Sequence, residues 1–431
     1  MSPLDEIRKR LTLDTEAITE VVNEALSHSN SNIGQNVFLW QQRERTQREA
    51  RKVVDVGAIP RLPLLGVPVS IKDCIEVEGY VSSCGSHFYA ENNAAACRDA
   101  WIVQQVRAAG GVITGKTHMH QLAYGITGEN ADFGDCCQPL DASLLTGGSS
   151  SGAVASVQEG SAILAIGTDT GGSIRVPSAL CGVVGFRSSV GVGSWTGGVH
   201  LARSFDTLGL LCRDLRDLPL FASAVLGIES VECSGEPKAP RIAIVPTEFL
   251  YDCDADVVAA YAMQQQELEQ LGATLTTVNV EYWARAMDVF GPIQAHEAAG
   301  VQREQLAGRA GFEVFEPAIA DRLTWGESIS AKEIELLRRW HREFQVSMDT
   351  MLQQYDFLLL PCAPMSQLLA GADHSKTRQK ILRYTTPVSL AGLPAVSLPR
   401  PGGIGMQLVC GRGRDAELLA YASVLHGKIS G

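Results

Sequence analysis

The sequence is short of several things, and each shortage narrows the reading. No apolar run approaches the roughly 20 residues needed to cross a bilayer, so no membrane span is expected. No C-x-x-C pair occurs; the eleven cysteines are odd in number and scattered, with Cys136 and Cys137 adjacent. For a chain this large, free thiols in a reducing compartment fit that pattern better than a disulfide framework. Positive charge is in deficit: 36 Lys and Arg stand against 48 Asp and Glu, a net charge of −12, which argues against nucleic acid or an anionic membrane as a partner. The opening stretch MSPLDEIRKRLTLDTEAITEVV has no secretory apolar block, so the expected location is the cytoplasm. Repeats, low-complexity tracts and strong linkers are missing too, and ECSGEPKAP (232–240) is the best candidate for an exposed connection.

What is present describes a soluble globular enzyme: 45% hydrophobic and 19% charged residues over 431 positions, read most simply as one large domain spanning 1–431. Ile18, Val21, Val22, Ala25 and Leu26 give residues 14–27 a helical face, and a charged stretch from Gln41 to Arg51 reads as a second helix. LLGVPVSIKD is a β-branched strand ending near Lys72, followed by the helix WIVQQVRAA and the short strand VIT. GAVASVQEGSAI reads as a helix between two glycine–serine turns. RIAIVP, the helix around Val257–Leu271 and TLTTVNV form a βαβ unit. Residues 283–355 are expected to be mainly helical, and DFLLLP, PAVSLP and GMQLVC to be buried strands. The alternation predicts an α/β core around one sheet.

Three motifs compete for the chemistry. Gly110–Thr117 matches G-x-x-x-x-G-K-[ST], but a phosphate loop needs a strand before it and a helix starting at the lysine. Here a helix precedes and Val112–Ile113–Thr114 looks like the strand itself, so Lys116 is expected to be a surface lysine after a turn. Gly148–Ser149–Ser150–Ser151–Gly152 satisfies G-x-S-x-G and would make Ser150 a nucleophile, although LDASLLT is a poor central strand for such an elbow. The third set combines Lys72 with the GGSSSG turn and TDTGGSIRVP, in which Ser173 follows two glycines, with Asp169 before them and Arg175 after. A helix-length segment between the turns could bring Ser149 and Ser173 to one pocket. Composition and spacing alone leave the choice open. His118 and His120 form an H-x-H without a nearby third ligand, so no metal is expected. Cys136, Cys137 and Cys181 read as packing residues, since nothing places a base beside them.

GGSSSG followed by GTDTGGSIRVPSALCGVVGFR resembles the signature block of the amidase signature family. VPVSIKD resembles its lysine strand, GKTHMHQLAYGITGEN the segment after it, and TTPVSLAGLPAVSLP with IGMQLVCGRGRDAELLAYA its C-terminal blocks. The resemblance runs from about Glu16 to the end, is least distinctive over 230–350, and places a signature core at about 64–215. It implies one α/β/α domain around a large mixed sheet and a Ser-Ser-Lys triad. Ser173 would attack the amide carbonyl, Ser149, after a cis peptide bond, would relay the proton, and Lys72, buried and neutral, would be the final base. Backbone N–H groups of Thr170, Gly171, Gly172 and Ser173 would form the oxyanion hole, because glycines admit close backbone approach to the developing charge. Asp169 and Arg175 would hold the loop in shape, with Ser150 as support.

The sequence departs from the family pattern around the pocket. Gln138–Pro139 stands where Asn-Pro is frequent, SLLT (143–146) lacks an arginine often found there, and Arg187–Ser188–Ser189 replaces Lys-Pro-Thr. The resemblance implies a cofactor-free hydrolase that forms an acyl-enzyme on a small-molecule amide. Two alternatives stay open: the glutaminase-like subunit of a tRNA-dependent amidotransferase, and a small-ureide hydrolase, with WHREF (340–344) placed as in compact relatives of that kind. A homodimer is among the expected assemblies.

Overall fold

The computed structural model describes residues 1–13, 17–31, 36–56, 62–229 and 239–425. Most of the connection expected at 232–240 lies outside the described residues.

An eleven-stranded sheet runs through the described chain. In spatial order its strands are Phe38–Trp40, Val112–Thr117, Pro68–Lys72, Leu164–Asp169, Thr207–Cys212, Val184–Arg187, Ala395–Arg400, Ile404–Val409, Phe357–Pro361, Arg241–Ile244 and Thr274–Thr277. The sheet is mixed. Pro68–Lys72 is parallel to both of its neighbours, whereas Leu164–Asp169 is antiparallel to Thr207–Cys212. The expected βαβ unit is present: Arg241–Ile244 and Thr274–Thr277 pair in parallel across helix Ala255–Gln270. The mainly helical reading of 283–355 also holds, with helices Ala286–Leu306, Pro317–Ser328 and Ala331–Gln354.

Alternation along the central strands shows that both sheet faces are covered. Leu164 and Ile166 point into the largest apolar cluster, while Ala165 between them joins Val154, Val157 and Ile174 in a second one. That second cluster is built by two short helices, Ser151–Glu159 and Arg175–Cys181, each closed by a glycine in the left-handed region, Gly160 and Gly182. The expected N-terminal helix, Ala17–Ser31, buries Ile18, Val22 and Leu26 against Ala50 of Arg43–Val56 and Val112 of the sheet.

One expectation is corrected. Strand VIT extends to Val112–Thr117, and Lys116 inside it is fully buried rather than on the surface; its Nζ lies 3.0 Å from Asp73 Oδ1 and 2.6 Å from Ser82 Oγ. A lysine locked in a strand interior leaves the phosphate-loop reading without its helix start. LDASLLT, expected to be a poor central strand, lies outside the main sheet: Asp141–Leu145 pairs with Cys137–Gln138 in a separate two-stranded ribbon, with a further bridge from Leu144 to Leu369.

The Ile166 side chain, wholly buried in the central strand, fixes a measurable quantity. Ile166→Ala should lower stability by about 2–5 kcal/mol, read from equilibrium urea unfolding, because the surrounding sheet cannot collapse into the void.

Candidate active site

Strand direction brings the lysine and the glycine loop together. Val69, Ser70 and Ile71 pair with Leu164, Ala165 and Ile166 in parallel register, so Lys72 and Asp169 both leave the sheet at its carboxyl edge, where open α/β sheets place their ligands. Ser149 and Ser150 stand just before helix Ser151–Glu159, which packs beneath that edge. Gly152 has to be small there: a Cβ would sit 2.1 Å from the Val37 carbonyl oxygen. Gly167 does the same for Ser150, whose Oγ would lie 2.9 Å from an added Cβ.

Lys72 is fully buried. Its Nζ lies 2.8 Å from Ser149 Oγ, 3.0 Å from Ser150 Oγ and 2.8 Å from Thr168 Oγ1, with no carboxylate within ion-pair distance among the described residues. Burial pushes its ammonium down to about 8, against the weaker opposing pull of Cys74, Asp169 and Asp206. The Gly148–Ser149 peptide bond is cis. Ser150 Oγ also donates to the Thr168 carbonyl at 3.1 Å, so this serine sits behind the lysine instead of at an exposed elbow. Ser173 is buried. Its carbonyl accepts the Ser150 N–H at 3.3 Å, which ties the two loops, and its Oγ makes no hydrogen bond to another described residue.

The loop from Asp169 to Arg175 is organised by one carboxylate. Asp169 accepts from the N–H groups of Gly172 (2.8 Å) and Ile174 (3.1 Å) and is paired with Arg175 (3.0 Å) and Arg187 (2.8 Å), all buried. Burial alone would raise this carboxyl; the two guanidinium charges and the N–H donors overcome it and hold it well below the usual carboxylate range. Arg175 continues to Ser389 Oγ and the Thr385 carbonyl, and Arg187 to the carbonyls of Leu393 and Phe205.

Gly172, expected among the oxyanion donors, is corrected: its N–H is committed to Asp169. It is there for its backbone, since it sits at φ +124° and a Cβ would meet Thr385 at 2.9 Å. Among the described residues the N–H groups of Gly171 and Ser173 have no acceptor. Thr170 is positioned through its Oγ1, 2.6 Å from Asp206 Oδ1, and Asp206 is in turn held by His200 and the Leu201 and Ala202 N–H groups.

Sequence reasoning missed Thr168, Arg187, Asp206 and Thr385. Only Arg187 left a signal: an arginine ending the otherwise apolar VVGFR has to find a buried partner. The H-x-H histidines diverge, His118 Nε2 to the Gly134 carbonyl at 2.8 Å and His120 Nε2 toward Glu316 at 3.6 Å. Cys136 and Cys181 are buried, and burial pushes both thiols up.

The chain belongs to the Amidase family, whose model matches residues 17–419, and is by that membership a hydrolase of carbon–nitrogen bonds. The A subunit of glutamyl-tRNA(Gln) amidotransferase from Symbiobacterium thermophilum is 31% identical over 407 residues, covering 84% of this chain and 82% of that protein. The 2-amino-5-chloromuconic acid deaminase of Comamonas testosteroni is 31% identical over 388 residues, covering 84% and 81%. A solved amidase structure superposes with a TM-score of 0.88 at 28% identity, covering 99% of both chains.

Replacing Asp169 by Asn would leave two buried guanidinium groups without their counter-charge. A loss of about 3–5 kcal/mol is expected in denaturant unfolding. Because the native carboxyl titrates below its unfolded value, the stabilisation it gives is complete above the unfolded pKa. It is lost as pH falls through the lower native one.

Proposed function

We propose that the protein hydrolyses the C–N bond of a carboxamide through Ser173, Ser149 and Lys72, with an acyl-enzyme intermediate and no cofactor, the whole chain 1–431 acting as one domain. The observation that carries this reading is a buried lysine whose Nζ contacts are hydroxyls and a carbonyl, one hydroxyl being that of Ser149.

Neutral Lys72 takes the proton of Ser149 as Ser149 takes that of Ser173, and Ser173 Oγ bonds to the substrate carbonyl carbon. The Ser173 hydroxyl, with no partner in the described chain, turns between Ser149 and the incoming carbonyl. Negative charge builds on the carbonyl oxygen, where the N–H groups of Thr170, Gly171 and Ser173 are the donors; one such donor contributes about 3–4 kcal/mol by precedent. Lys72 returns its proton through Ser149 to the leaving nitrogen as the C–N bond breaks, releasing ammonia or an amine. Water, deprotonated along the same path, then cleaves the ester and restores Ser173.

The 31% identity to an amidotransferase A subunit favours one second reading, an ammonia-producing subunit that works with partner chains. Co-purification of partners, with little glutaminase activity alone, would select it.

A fluorophosphonate should label Ser173, the mass shift mapping to its peptide. Labelling should vanish in Ser173→Ala and slow by roughly 100-fold or more in Lys72→Ala; a label on Ser150 instead would reinstate the elbow and overturn this assignment.

The pH profile gives a second check. Below about 8 Lys72 holds its proton and is no base; above it the amine is neutral. The kcat/KM for an uncharged amide should therefore rise tenfold per pH unit and level off above about 8, and Lys72→Ala should lack that limb.

A further inference from the structure

Helix Ala331–Gln354 carries two seams, and the described chain covers one of them. The inner seam buries Ile334, His341, Phe344, Met348 and Leu352, and His341 Nε2 donates to the Leu390 carbonyl of helix Thr377–Ala391 at 2.8 Å. The opposite face presents Lys332, Leu336, Arg339, Glu343, Val346 and Thr350, all exposed. Successive members are four, three, four, three and four residues apart, the alternation by which a helix offers one continuous seam to a second helix. Leu336 is 48% exposed and Val346 64%. Trp340 extends the apolar surface on one flank, with the Arg285 guanidinium over its ring at 4.1 Å.

Single exposed apolar side chains are ordinary; the order of these six is not. The seam matches itself when reversed. A second copy laid antiparallel, about a two-fold axis at position 341, sets Lys332 against Thr350, Leu336 against Val346 and Arg339 against Glu343. Two-fold symmetry makes each pairing occur twice. Sliding the second copy by seven residues, in one direction or the other, sets Leu336 against Arg339 or Glu343 against Val346, and the match is lost. Charges beside the seam are already engaged with the body of the protein: Arg338 pairs with Glu297 at 2.8 Å and Asp349 with Arg412 at 3.2 Å, whereas Arg339 and Glu343 have no ion-pair partner among the described residues.

We propose that the outward seam of helix Ala331–Gln354 is the surface through which two copies of this chain associate, Arg339 of each reaching the partner's Glu343. From Lys332 to Thr350 the seam is about 27 Å long at 1.5 Å per residue. One helix pair is a small contact, in the class below about 1,200 Å², so the dimer should exchange with monomer at roughly 10–100 µM. The contact uses neither Lys72 nor the loop of Ser173, and it stands independently of the amidase reading.

Sedimentation velocity from about 2 to 200 µM spans that affinity and should show monomer giving way to dimer as concentration rises, less so in about 0.5 M sodium chloride, which screens exposed charges. Arg339→Glu and Glu343→Arg should each weaken the dimer about 10- to 100-fold, since symmetry turns two attractions into two repulsions. Mixed in equal amounts, the two variants should associate with one another about as well as wild type, because every charge then meets its opposite. A change in the fold of either variant would not be repaired by mixing, and circular dichroism melts should match wild type. A chain that stays monomeric throughout, a dimer indifferent to both substitutions, or variants that fail to recover on mixing would each overturn the proposal.

Discussion

A lysine amine taken out of water without a counter-ion is the constraint around which this edge of the sheet is arranged. The contrast with Lys116, on the neighbouring strand, makes the point. Both amines are buried and hydrogen-bonded, but Lys116 has the Asp73 carboxylate at 3.0 Å, whereas Lys72 has hydroxyls and a carbonyl. Hydroxyls can satisfy an amine in either protonation state; a carboxylate favours only the charged one. Two lysines one strand position out of register therefore sit in different surroundings, one against a carboxylate and the other among hydroxyls.

Charge is nevertheless needed nearby to shape the backbone, and the chain keeps it on the far side of the loop. Asp169 gathers Arg175, Arg187 and the N–H groups of Gly172 and Ile174. A buried ion cluster of this kind adds little net stability compared with an apolar core, yet losing one member is expensive. Its value here lies in geometry: it consumes the Gly172 N–H, leaves those of Gly171 and Ser173 unspent, and forces a positive φ that glycine alone tolerates well.

Much of this was legible in the sequence. Apolar strand segments such as PVSIK and FLLLP, and the 3.6-residue face of Ile18, Val22 and Leu26, describe local burial, and local burial is what periodicity encodes. Lys72, Ser149 and Ser173 were singled out by the resemblance of their segments to the amidase signature, because spacing alone left three motifs in competition. The rest depended on tertiary contacts with no local trace. Lys116 reads as a surface lysine until Asp73 and Ser82 are seen to enclose it. Gly172 reads as a donor until Asp169 is seen to claim its N–H. Thr385 lies 214 residues from Gly171, whose carbonyl it meets, and nothing in TRQKILRYTT distinguishes the side chains that look inward from those that do not.

Helix Thr377–Ala391 carries one more implication. Its lower turns are occupied by Ser389 and Thr385 in bracing the reactive loop, and its upper turn bears Arg378 at an open cleft. Cleft wall and loop braces are thus segregated along one rod, so that a substitution near its beginning can reshape the cleft while the contacts two turns below stay in place.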